Sequence, residues 1–221
     1  MERYVSQGAV CALCLVLSSL FVPATSNAVV ISEILYDATS SDAGNVFVEL
    51  FGAPGTSLSG WSLQGINGGD GSLYKTVNLS GAIPSDGVFV IAEPLSGGGT
   101  NVSNADLVIS VDFQNGPDSV QLFDGAILID AIGYGDFTGL FFAGEGTASP
   151  DPAAGSSLAR SNPLIDTHDN QTDFVVLTAP TPGTVPISAV PLPPALWLFG
   201  SGMGLLMLRC KRYLPASVIP S

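Results

Sequence analysis

Residues 119–134 read SVQLFDGAILIDAIGY. Two apolar runs, Ser119–Phe123 and Ile127–Tyr134, flank the pair Asp124-Gly125. Asp-Gly accepts the positive φ values that a tight hairpin needs, so the stretch reads as two strands joined by a short turn. The same pattern extends in both directions. Strand-like runs occur at Val29–Tyr36, Val46–Phe51, Trp61–Gln64, Leu73–Leu79, Val88–Ala92, Asp106–Val111 and Asp173–Leu177, divided by Gly, Asn, Asp and Ser. No long helical period appears between residues 29 and 180. Short strands at this spacing predict an all-β sandwich or barrel. In the run at Val46–Phe51, Val46, Val48 and Leu50 form one face and Phe47, Glu49 and Phe51 the other. That strand is expected to be covered on both sides.

Charge separates this middle region from the ends. Of 221 residues, 19 are acidic and six are basic. Residues 29–189 hold every acidic residue except Glu2 but only two basic ones, Lys75 and Arg160, which leaves a net charge of −16 there. Such a domain repels phosphate backbones, which argues against a nucleic-acid partner. The three cysteines, Cys11, Cys14 and Cys210, lie in or beside the terminal apolar segments. The middle therefore has neither a disulfide framework nor a thiolate metal site and must rely on its core.

Each end reads as a processing segment. Val10–Val22 is almost wholly apolar, Pro23 breaks it, and Ser26-Asn27-Ala28 places small residues before a cut between Ala28 and Val29. This predicts a signal peptide over 1–28, the alternative being an uncleaved anchor. Residues 179–189 are Pro-rich and read as a semi-extended linker. Ala195–Leu208 is uncharged and, as a helix, spans about 21 Å, against a bilayer core of about 30 Å. A short transmembrane helix over 195–208 is expected, with Arg209, Lys211 and Arg212 stopping transfer on the inner side. Residues 213–221 form a short extension.

Two resemblances follow from these residues. Val190-Pro191-Leu192-Pro193, the apolar run with Trp197-Leu198-Phe199-Gly200, and the basic cluster together resemble the PEP-CTERM sorting signals read by exosortase. The signal covers 190–212, with Leu192 where the PEP form has Glu. That resemblance implies a bacterial protein, a sorting enzyme and a membrane as partners, and delivery to the cell surface or matrix. The alternative is an uncleaved tail anchor.

The middle resembles the lamin-tail domain over nearly all of 29–183, with the domain itself expected over 29–178. The residues that carry this are Ile31-Ser32-Glu33-Ile34-Leu35-Tyr36-Asp37, Phe47-Val48-Glu49-Leu50, Leu58-Ser59-Gly60-Trp61-Ser62-Leu63 and Asn115 through Leu122. Further on they are Asp130-Ala131-Ile132-Gly133-Tyr134, Ser156-Ser157-Leu158-Ala159-Arg160, Asp169-Asn170 through Asp173-Phe174, and Pro180-Thr181-Pro182-Gly183. The resemblance implies an immunoglobulin-like β-sandwich that serves as a binding or accessory module. It implies no activity.

Reactive chemistry is sparse. His168 is the single histidine, and no Gly-x-Ser-x-Gly accompanies it, so it reads as an exposed loop residue rather than part of a catalytic triad. Asp166, Asp169 and Asp173 are the strongest candidates for calcium ligands, although the loop lacks the Gly and terminal Glu of an EF-hand. The competing reading is turn chemistry, in which Asp and Asn bond nearby amides. Asp37, Asp42 and Asn45 form a weaker group of the same kind. Glu33 and Glu49 are expected to pair with Arg160 or Lys75, and Trp61 to lie in the core. Gly97-Gly98-Gly99 reads as a flexible loop, since no helix follows to cradle a phosphate.

The functional expectation is therefore a non-enzymatic exported surface or matrix module without a cofactor, binding an unknown protein or polysaccharide. The alternatives are a calcium-dependent adhesion or carbohydrate-binding module and, less favoured, a hydrolase.

Overall fold

A computed structural model of the chain describes residues 29–185. The expected signal peptide, the motif Val190-Pro191-Leu192-Pro193, the helix over 195–208, the stop residues Arg209, Lys211 and Arg212 and the extension over 213–221 lie outside the described residues. Among the described residues no helix is long and apolar enough to cross a membrane.

The described residues form β1 (Val30–Leu35), β2 (Phe47–Phe51), β3 (Trp61–Asn67), β4 (Leu73–Asn78), β5 (Val88–Ala92), β6 (Ala105–Val108), β7 (Asp118–Asp124), β8 (Ile127–Tyr134), β9 (Ser157–Arg160), a short helical turn α1 (Asn170–Asp173) and β10 (Phe174–Leu177). These strands make a six-stranded sheet, β10-β9-β1-β2-β5-β6, and a four-stranded sheet, β4-β3-β7-β8. Every pairing is antiparallel except β5 with β6. The fold is all-β, and its main core lies between the two sheets.

Strand alternation builds that core. Val48 and Leu50 of β2, with Phe89 and Ile91 of β5, face Leu63 of β3, Val120 and Leu122 of β7 and Ile132 of β8. Trp61 joins them as expected. The opposite face of the six-stranded sheet carries a second cluster of Val30, Leu35, Phe47, Phe51, Val88 and Val90. β2 is thus covered on both sides, as its pattern predicts. One residue departs from the expectation, because Val46 joins Phe47 in the outer cluster. Its amide is held by the Asp42 carbonyl in the preceding turn, so it stands outside the strand's alternation.

β1 needs an irregularity to serve both clusters. Val30 and Leu35 point outward while Ile31 and Ile34 point inward. Strict alternation would place Ile31 and Ile34 on opposite faces. The pairing with β2 shifts register between Ile31 and Glu33, and this bulge resets the alternation. The expected β7–β8 hairpin is present, with Gly125 at φ +58° in the turn.

Packing against the sheet continues past residue 178, through the last segment that carries the resemblance. Residues 179–185, read as the start of the linker, pack onto the outer face of the six-stranded sheet. Thr181 and Gly183 donate to Glu33 and Glu49, and Val185 rests against the outer cluster. Gly183 has φ +83°, and a Cβ there would lie 2.5 Å from Asn104 Nδ2, so glycine permits the close approach.

Candidate functional site

The polar centre of the molecule lies where β8 crosses β1. The β1–β9 ladder pairs Glu33 with Ala159 and Ile34 with Leu158. Beyond it, two side chains take up the Ile31 backbone. The Ile31 amide donates to Asp130 Oδ2 at 2.6 Å, and Arg160 Nε donates to the Ile31 carbonyl at 3.2 Å. Alternation along β8 points Asp130 inward with Ile132 and Tyr134. The Arg160 Nη2 amino group donates to both Asp130 oxygens at 2.9 Å, and Nη1 reaches Asp173 Oδ2 at 2.8 Å and Asp166 Oδ1 at 3.4 Å. Its guanidinium also sits 4.7 Å from the Phe174 ring centre. Arg160, Asp130 and Asp173 are all buried, so one arginine ties β8 of one sheet to β1, β9 and α1 at the other.

Asn170 secures the free edge of β8. Its Nδ2 donates to the Ala131 carbonyl at 2.8 Å and its Oδ1 accepts the Gly133 amide at 2.8 Å, as a neighbouring strand would. The same Oδ1 accepts the Glu145 amide at 2.9 Å, and the Asn170 amide donates to the Glu145 carbonyl at 3.0 Å. The loop that carries Glu145 is thereby fastened to the turn that follows His168.

Glu145, Asp166 and His168 meet on the surface beside this centre, with one donor atom from each lying within 4.8 Å of the others. His168 Nδ1 is 3.4 Å from Glu145 Oε1 and 3.5 Å from Asp166 Oδ2. The His168 side chain is 75 % exposed, that of Glu145 only 16 %. Burial pushes the Glu145 carboxyl up to about 7, helped by the negative charges of Asp130 and Asp166. Asp166, and next Glu145, raise the His168 imidazole above its usual range. Glu145 Oε2 is buried without a hydrogen-bond partner among the described residues.

The three expected calcium ligands do not share a centre. Asp173 turns to Arg160 and to the amide and hydroxyl of Thr167. Asp169 caps α1 by accepting the Thr172 amide and also receives the Thr147 amide. Those amides lower its carboxyl, the Thr172 N–H foremost. Only Asp166 joins the surface group, and its Oδ1 also accepts the His168 amide at 3.0 Å. The turn-chemistry reading of this stretch therefore describes Asp169 and the Oδ1 of Asp166.

Glu33 and Glu49 also differ from expectation, since Arg160 pairs with aspartates and Lys75 donates to Ser110 and to the Asp112 carbonyl. The two glutamates are cross-strand neighbours on the outer face. Glu33 receives the Ser157 hydroxyl at 2.5 Å, the Thr181 amide at 2.9 Å and the Thr181 hydroxyl at 2.8 Å. Glu49 receives the Ser32 hydroxyl and the Gly183 amide, each at 2.7 Å. Burial pushes Glu49 up to about 7 against the pull of those donors.

Sequence reasoning missed Glu145, Asp130 and Asn170 as site residues. Glu145 stands between glycines in a polar loop and carries no local signal, and Asp130 sits inside an otherwise apolar strand. That position was the one available clue, because a carboxylate at an inward strand position needs a cation or several donors. No protein-family profile, curated protein or solved structure matches the chain.

Proposed function

We propose that this chain is an exported, non-enzymatic binding or structural module. In this reading an immunoglobulin-like sandwich of the lamin-tail type is delivered to the cell surface or matrix by its C-terminal sorting signal. The observation that carries the reading is spatial. The segments that resemble the lamin-tail pattern are scattered through the chain, yet their polar residues converge at two places. Glu33, Glu49, Ser157, Thr181 and Gly183 meet on the outer face. Asp130, Arg160, Asn170 and Asp173 meet at or beside the crossing of the two sheets. A pattern whose members hold one another in place is what a fold-defining signature requires. The acidic surface and the processing signature at each end suit an exported module.

The test is the intact mass of the mature protein from its native host, measured in cell and medium fractions. A C-terminus between Pro191 and Ala195 supports sorting. A mass running to Ser221 in the membrane fraction makes the protein a tail-anchored domain and overturns the sorting reading.

A further inference from the structure

We propose that Glu145, Asp166 and His168 bind a first-row divalent transition cation of zinc's size. Geometry is the first ground. A satisfied N–H···O bond is about 2.9–3.0 Å long, and both contacts of His168 Nδ1 exceed this, at 3.4 and 3.5 Å. Two ligands at about 2.0–2.1 Å from a tetrahedral zinc lie about 3.4 Å apart. The nitrogen therefore stands from each carboxylate at the separation of two ligands around one ion. The second ground is independent of those contacts. Glu145 Oε2 is buried with no hydrogen-bond partner among the described residues, and a buried carboxylate oxygen without a partner is costly. An ion bound at Glu145 Oε1 neutralises the carboxylate to which that orphaned oxygen belongs.

The donor set selects the class of ion. One imidazole with two carboxylates suits zinc, whereas calcium and magnesium prefer all-oxygen shells. Asp166 Oδ1 accepts the His168 amide at 3.0 Å, and Arg160, itself fixed by Asp130 and Asp173, lies behind it at 3.4 Å. Glu145 is held through its own backbone by Asn170. Supports of this kind keep ligands oriented without the ion. Three protein ligands and an exposed imidazole leave a coordination position open to water, and the domain's charge of −16 draws cations toward it. The inference does not depend on the sorting reading.

The test uses the full chain in detergent, stripped with a chelator and titrated with zinc chloride. His168 is the single histidine in the chain, so its ring signals in proton NMR are unambiguous. The expected result is a zinc-dependent shift of those signals together with a calorimetric site weakened at least about ten-fold by H168A and by E145Q. C11S, C14S and C210S in one background remove thiolate sites outside the domain. Unmoved ring signals at saturating zinc, or affinity changed less than two-fold by both variants, overturns the proposal. So does calcium binding as tightly as zinc and indifferent to H168A. Unchanged urea midpoints for both variants show that any lost affinity is not lost folding.

Discussion

The two places where this domain buries carboxylates solve the same problem in opposite ways. Where the sheets cross, Asp130 and Asp173 are balanced by one cation, Arg160. On the outer face, Glu33 and Glu49 lie side by side with no cation of the described residues against them and are satisfied by hydroxyls and amides. The first arrangement is electrostatic and joins two sheets. The second is a set of neutral donors, three of them from Thr181 and Gly183, and it clasps the end of the chain onto the sheet. The lesson is that a buried acid is not in itself a sign of catalysis, because either a fork of guanidinium nitrogens or a loop of amides can satisfy it.

Four measurements break or sharpen this contrast. R160M has the largest expected effect. It strips two buried aspartates of their cation and the Ile31 carbonyl of a donor, so urea denaturation should show a loss of about 3–5 kcal/mol. A loss under about 1 kcal/mol would mean that the aspartates do not depend on the arginine. N170A comes next. It removes the side chain that caps the edge of β8 and holds the Glu145 loop, and the expected loss is about 2–3 kcal/mol. Amide exchange should rise at Gly133 and Glu145 while the outer sheet face keeps its protection.

Glu49 makes the clasp sensitive to pH. Its ordinary value is 4.5 and burial raises it to about 7, so the folded state favours the protonated acid. A protonated Glu49 can donate to Ser32 Oγ while its other oxygen keeps the Gly183 amide. The stability from this group is fully present below pH 4.5 and is lost as the pH climbs through 7, by at most about 3 kcal/mol. E49Q stays neutral throughout and should be more stable than the natural protein at pH 8, with the difference shrinking toward pH 5. Thermal melts at both values check this, and parallel curves would refute it. H168A should matter least to folding. The imidazole is exposed and its ion pairs are long, so without added metal the expected change is under about 0.5 kcal/mol.

The β-strands were largely legible in the sequence. β5 and β8 have the predicted bounds, β2, β4 and β10 differ by one residue at one end, β1 and β7 by one at each end, and β3 runs past the predicted Gln64 to Asn67. β9 had no place among the predicted strands. It is four residues long and buries Ser157 and Arg160 along with Leu158 and Ala159, so it shows no contrast between an apolar and a polar face. The predicted strand Asp106–Val111 shortens to β6, Ala105–Val108. Beyond it the Val111 amide turns to the Glu93 carboxylate instead of a strand partner. The pairings of the acids were not legible either. Glu33 is 148 residues from Thr181, and Asp130 is 30 residues from Arg160.

The sequence by itself determined that the middle of this chain is an acidic, cysteine-free β domain flanked by two apolar segments. Period-two alternation, turn residues and charge are local properties, and local properties survive in a linear reading. Only the tertiary structure decided that Arg160 serves Asp130 and Asp173, that Glu33 and Glu49 hold Thr181 and Gly183, and that Glu145 meets His168. Alternation says which face a side chain takes. Which strand or loop lies opposite that face depends on the order of strands in the sheets and on the bulge in β1, and a buried charge finds its partner only once those are set.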